Sequence, residues 1–159
     1  MINYLKITFG ILIVLSASRF IPHPPNFTAL IALSFYIPAL LGKKYIPSLL
    51  GCFILTDLFL GIHQTILFTW GSIILIGFIS NYLNYSLTKR ITGSIFSACL
   101  FFLITNFGVW LTGSYGFTLN GLLMCFILAI PFFGYTLLST IFYSTIIEIV
   151  NFRYRRIKI

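Results

Sequence analysis

Ionisable chemistry is scarce in this chain, which has 159 residues but only two carboxylates, two histidines and ten basic side chains. Asp57 is the sharpest of these, because it stands in the apolar run Gly51-Cys52-Phe53-Ile54-Leu55-Thr56-Asp57-Leu58-Phe59-Leu60. An ionised group in such a run costs a few kcal/mol unless it is paired or faces water. Two readings are open: a ligand or ion contact, and a structural pair with Arg19. Both hold if ligand binding rearranges the pair. On a helix, Gln64 shares the face of Asp57, whereas His63 lies well round it and approaches from the loop.

Arg19-Phe20-Ile21-Pro22-His23-Pro24-Pro25-Asn26 is the second candidate. Pro22 biases Ile21 away from the helix and the double proline stiffens an extended exit, which holds Arg19, His23 and Asn26 in place at low entropic cost. The plainer reading is a rigid turn with Arg19 among lipid headgroups. Third, Asn106 and Trp110 are four apart and share a helical face. A buried Asn needs a partner and an indole offers a flat wall, so together they suit a planar ligand; an Asn bonding between helices and a Trp in the interfacial belt are the alternative. Tyr115, with Ser114 and Asn120, falls in the loop that follows. Trp70 reads as belt or packing, and Glu148 as a partner of the basic tail.

Other chemistry is missing from the sequence. It contains no zinc-type spacing, Walker loop, G-x-S-x-G or H-E-x-x-H. Cys52, Cys99 and Cys125 stand singly in apolar runs and read as small buried hydrophobes. No catalytic residue, metal or cofactor is expected. Asn26-Phe27-Thr28 has the form of a glycosylation sequon but lies too close to an apolar run for that use.

The elements that must position these residues follow from composition. The chain is 59% apolar and 8% charged, with a mean hydropathy of +1.05. Soluble domains carry about a quarter charged residues, so water is excluded as the main solvent, and with it a soluble enzyme. Six runs approach the ~20 residues that a helix needs to cross ~30 Å of hydrocarbon: roughly 4–20, 27–42, 46–62, 66–85, 92–112 and 121–150. The last contains Pro131 and Gly134 and predicts a kinked helix. The fold class is an all-α integral membrane protein, a single domain over 1–159 built as a bundle of six transmembrane helices.

Charge sets the expected orientation. Lys6, Lys43, Lys44, Lys89, Arg90, Arg153, Arg155, Arg156 and Lys158 fall on one side of such a bundle and Arg19 alone on the other. The positive-inside rule then puts both termini in the cytoplasm, of a bacterial inner membrane. The net +8 is accordingly a topology signal, with lipid rather than nucleic acid as the polyanionic neighbour. Lys6, the apolar Ile7–Leu15 and the small Ser16, Ala17 and Ser18 also have the form of a signal peptide; cleavage there would leave five spans.

Six short hydrophobic helices, both termini inside and a polar, aromatic cluster facing outward resemble the substrate-binding S component of energy-coupling factor vitamin transporters. The strings Arg19-Phe20-Ile21-Pro22-His23-Pro24-Pro25-Asn26-Phe27, Thr105-Asn106-Phe107-Gly108-Val109-Trp110-Leu111 and Ile130-Pro131-Phe132-Phe133 resemble those of a family of small uncharacterised bacterial membrane proteins. The resemblance implies capture of a vitamin-like small molecule at the outer face. It also implies energy drawn from a partner transmembrane subunit with two ATPases. Two departures stand out. Gly10, Ser16, Ala17 and Ser18 form no alanine-type docking stripe, which leaves a solitary transporter open. Ile2 and Asn3 replace the N-terminal His of nickel and cobalt relatives.

The expected ligand contacts are therefore Arg19 on an anionic substituent, with Asp57 and His63 on polar edges and His23 and Asn26 beside them. Asn106, Trp110 and Tyr115 are expected around a ring. A structural or accessory subunit of a larger membrane complex is the alternative, and an intramembrane enzyme lacks a paired nucleophile and base.

Overall fold

The computed structural model describes residues 2–157, with the side chains of 3–154. Lys158 and the side chains of Arg155 and Arg156 lie outside the described residues. The described chain is all-helical, with six α-helices and no strand: α1 Ile2–Phe20, α2 Leu30–Leu41, α3 Ile46–Leu60, α4 Ile66–Ile79, α5 Leu87–Leu111 and α6 Leu119–Ile157. Single turns of 3-10 helix at Lys43–Tyr45 and Ser80–Tyr82 join α2 to α3 and extend α4.

Among the described residues, two helices are long and apolar enough to cross a membrane, α5 and the Leu119–Tyr154 part of α6. α1 keeps the expected run 4–20, whereas α2, α3 and α4 end short of theirs. With 12, 15 and 14 residues, α2, α3 and α4 reach only about 18 to 23 Å at ~1.5 Å per residue. Specific residues stop them. Gly42 and Gly61 take φ of 100° and 106°, a region closed to most side chains, and end α2 and α3. At its start α2 loses Phe27, Thr28 and Ala29 from the expected run, because Asn26 adopts a left-handed φ of 61° after the prolines. Gly61 also takes Gln64 off the helix that carries Asp57, so the shared face expected for those two residues does not exist. Conversely, α5 begins at Leu87, where the Ser86 hydroxyl caps the Lys89 amide at 3.2 Å. α6 is continuous through Pro131 and Gly134.

Short α2 is the hub. It packs against α3, α4, α5 and α6, while α1 lies on α3. Two apolar clusters surround it, one centred on Leu15, Leu33, Leu49 and Ile73, the other on Phe35, Tyr36, Ile76 and Ala98. Close approach depends on small residues: a Cβ on Gly93 would lie 2.6 Å from the Phe35 ring. Beside this apolar core, hydroxyls are buried and many large apolar side chains are exposed. Ser34, Ser97 and Thr140 are buried, their hydroxyls donating to Leu30, Gly93 and Thr136 carbonyls at 2.7 to 2.8 Å. Phe9, Leu67, Ile127 and Leu138 are exposed.

The antiparallel α5–α6 seam is closed at one end and open at the other. At the closed end Arg90 grips Glu148 bidentately, Nε to Oε1 at 2.6 Å and Nη2 to Oε2 at 2.7 Å. Among the described residues Glu148 thus pairs across helices with Arg90, which the helical register sets opposite it, and not with Arg153 of the basic tail. One turn along, the Ser144 hydroxyl donates to Ser94 at 3.1 Å. Lys43 and Lys44 share this end: Tyr4 donates to the Lys44 carbonyl at 3.3 Å, and Lys43 stands over Tyr82. Arg19, His23, His63 and Asn106 occupy the other end, where the seam opens.

Candidate functional site

Because α2 starts at Leu30, the centre of the bundle beyond its N-terminus is vacant, and a two-chambered cavity occupies it. The first chamber, ≈ 260 Å³, is lined by Arg19, His23, Asn26 and Thr28 with Phe53 and the first turn of α2. The second, ≈ 300 Å³, lies between α5 and α6 and is lined by Phe101, Phe102, Thr105, Asn106, Phe132 and Phe133 among others. Asn26, His63, Thr69, Phe101 and Thr136 line both, so the chambers share a throat. Small-molecule sites span about 300–1,000 Å³, a range the joined chambers reach.

Arg19 is fixed from three directions. Its Nη1 donates to the Thr56 hydroxyl, its Nη2 lies 2.6 Å from Asp57 Oδ1, and its guanidinium stands 4.6 Å from the centre of the Phe53 ring. Asp57 is 1% exposed and does not line the cavity. Its Oδ2 accepts the Trp70 indole N–H at 2.8 Å. A carboxylate so buried needs both partners, and Trp70 is therefore a bonded member of the site instead of a belt residue. Arg19 is partly exposed and faces the first chamber. Its five-donor fork spends its terminal nitrogens on Thr56 and Asp57, and Nε–H has no protein acceptor among the described residues.

The other expected residues divide. His23 donates from Nδ1 to the Pro24 carbonyl at 2.7 Å. Nδ1 of His63 is 3.0 Å from the Thr65 hydroxyl. Asn26 supplies a wall and the left-handed corner at once; its carbonyl accepts from the Thr28 amide at 3.0 Å and the Ser139 hydroxyl at 3.5 Å. Asn106 donates from Nδ2 to the Phe102 carbonyl at 2.8 Å, and its Oδ1 has no partner among the described residues. Trp110 and Tyr115 do not line either chamber. The Trp110 indole donates to the Gly116 carbonyl at 3.0 Å and lies against Phe107 and Phe117, so it braces the loop between α5 and α6. Asn106 and Trp110, one turn apart, thus serve different structures.

Sequence reasoning missed the threonines Thr28, Thr69, Thr105 and Thr136, and the phenylalanines Phe53, Phe101, Phe102, Phe132 and Phe133 of the wall. Threonine and phenylalanine recur throughout this chain, and only the helix rotations single these out. Thr105 had one signal, its place beside Asn106. Among the described residues, no group of three His, Cys, Asp or Glu side chains is arranged to hold a metal ion.

Residues 2–156 match a family of unknown function, DUF6580. That match covers nearly all of the sequence, and the chain belongs to this family. No curated protein and no solved structure matches the chain.

Proposed function

We propose that this member of DUF6580 is the substrate-binding membrane component of an uptake system for a vitamin-like small molecule. The observation that carries the reading is the cavity: it opens at the end of the bundle that gathers Arg19, His23 and His63, while the α5–α6 seam is shut at the lysine end by Arg90 and Glu148. A further pocket of ≈ 350 Å³ lies at the other end against Arg90 and Glu148, but its charged groups are paired with each other, whereas Arg19 faces its chamber with an Nε–H unbonded among the described residues.

Six membrane crossings suit this distribution of side chains, because exposed apolar surface costs nothing in hydrocarbon and hydroxyls bonded within their own helices are satisfied there. α1 reaches about 28 Å at ~1.5 Å per residue, with Lys6 and Arg19 near its ends. The shorter α2 is enclosed by other helices, where less than a full crossing is tolerated. Basic residues at the end opposite the cavity support cytoplasmic termini and an inner-membrane location. A separate energising subunit is one source of energy for such uptake, and an ion or ligand gradient is the other. The likeness to S components of energy-coupling factor transporters supports the first source.

Mass spectrometry of small molecules that copurify with the full chain tests the reading. A bound compound lost on Thr136→Leu, which narrows the throat, is the expected result. Recovery of the same compounds from both proteins, or of none beyond lipid and detergent, would sink it.

A further inference from the structure

The two chambers differ in chemistry, and the difference defines a ligand. In the first, Arg19 faces the space with uncommitted donors, while its counter-ion Asp57 is 1% exposed and lies behind it. The only other carboxylate of the sequence, Glu148, is gripped by Arg90 at the far end. No acidic side chain lines either chamber. The first turn of α2 opens into the same chamber with the positive end of its helix; the Ala29 and Leu30 amides there donate to the Ser18 and Thr28 hydroxyls at 3.2 and 3.5 Å. Guanidinium donors and the positive end of a helix, in a pocket without acids, favour a negatively charged group.

The second chamber has no lysine, arginine or carboxylate in its lining, and four phenylalanines, Phe101, Phe102, Phe132 and Phe133, form its apolar side opposite threonines, asparagines and His63. Phe102 and Phe133 stack across the α5–α6 seam with centroids 4.5 Å apart and planes inclined by 30°, and Phe101 and Phe132 continue the wall. Asn106 Oδ1 is the unpaired acceptor beside it. Flat rings against flat rings favour a planar body over a branched or saturated one.

We propose that the cavity takes a planar aromatic acid, its carboxylate on Arg19 in the first chamber and its ring system among the phenylalanines of the second. This rests on the reading of the cavity as a ligand site and adds the class of ligand. The shared throat at His63, Thr69 and Thr136 is where the two parts of such a molecule join.

The test is calorimetric titration of the full chain in phosphatidylcholine nanodiscs with naphthoate, naphthamide, naphthylmethylamine and decalin carboxylate. Naphthoate binds at least about tenfold tighter than the amide and than the saturated acid, and the amine does not bind. The double variant Arg19→Gln/Asp57→Asn, which leaves no buried charge unpaired, loses the preference for acid over amide. Equal binding of acid and amide overturns the anionic group, and equal binding of naphthoate and decalin carboxylate overturns the planar body. Binding of neither acid, or an acid preference that survives the double variant, overturns the class as a whole. The capture reading fails separately, on the copurification result.

Discussion

Arg19 lies 2.6 Å from Asp57, and because the Trp70 indole bonds the second carboxylate oxygen at 2.8 Å, one buried acid ties α1, α3 and α4 together beneath the cavity. Removing one member of a buried pair leaves the other charge uncompensated, at a cost of about 3–5 kcal/mol. Arg19→Gln and Asp57→Asn should each lower thermal stability in detergent by that order, and the double variant should be more stable than either single one. Losses that simply add would mean the two side chains do not act as a pair. Trp70→Phe should cost less, about 1–3 kcal/mol for one unsatisfied buried acceptor.

Close packing of α4 on α5 makes a second prediction. A Cβ on Gly108 would lie 2.4 Å from Phe68 Cγ, whereas one on Gly51 meets nothing within 4 Å. Gly108→Ala should cost about 1–3 kcal/mol through overpacking, and Gly51→Ala should gain up to about 1 kcal/mol from helix propensity. Thermal unfolding of the two variants side by side checks the opposite signs.

At the closed end, the bidentate Arg90–Glu148 pair and the Ser94–Ser144 bond one turn away should hold the seam. A double-mutant cycle with Arg90→Gln and Glu148→Gln should return a coupling of about 1–3 kcal/mol, well above the value of an exposed pair. A coupling near zero would remove the clamp from the account of the closed end.

Topology gives a fourth expectation. In a cysteine-free background, His63→Cys in the α3–α4 loop should react with a membrane-impermeant thiol reagent on intact cells. Lys89→Cys, at the other end of the bundle, should react only after lysis. The reverse order would invert the proposed orientation.

The link between Arg19 and Asp57 was legible in the sequence, as one acid in an apolar run and one basic residue apart from the other nine. Trp70 was not, since an indole in an apolar helix reads the same whether it packs or donates. Glu148 had several basic residues within reach on its own side. Its choice of Arg90 was made by the α5–α6 register, which the Ser144–Ser94 bond one turn away shares.

Composition and pattern by themselves determined an all-helical chain with apolar helices, the prolines that end α1 and the polar residues that collect near them, because those properties reside in local spacing and hydrophobicity. The tertiary structure decided that the space beyond the start of α2 becomes a cavity. It also decided which threonines and phenylalanines line that cavity and that Trp110 braces a loop. Those depend on helix rotation and register, which are set by contacts between residues far apart in the chain and leave no trace in the spacing along it.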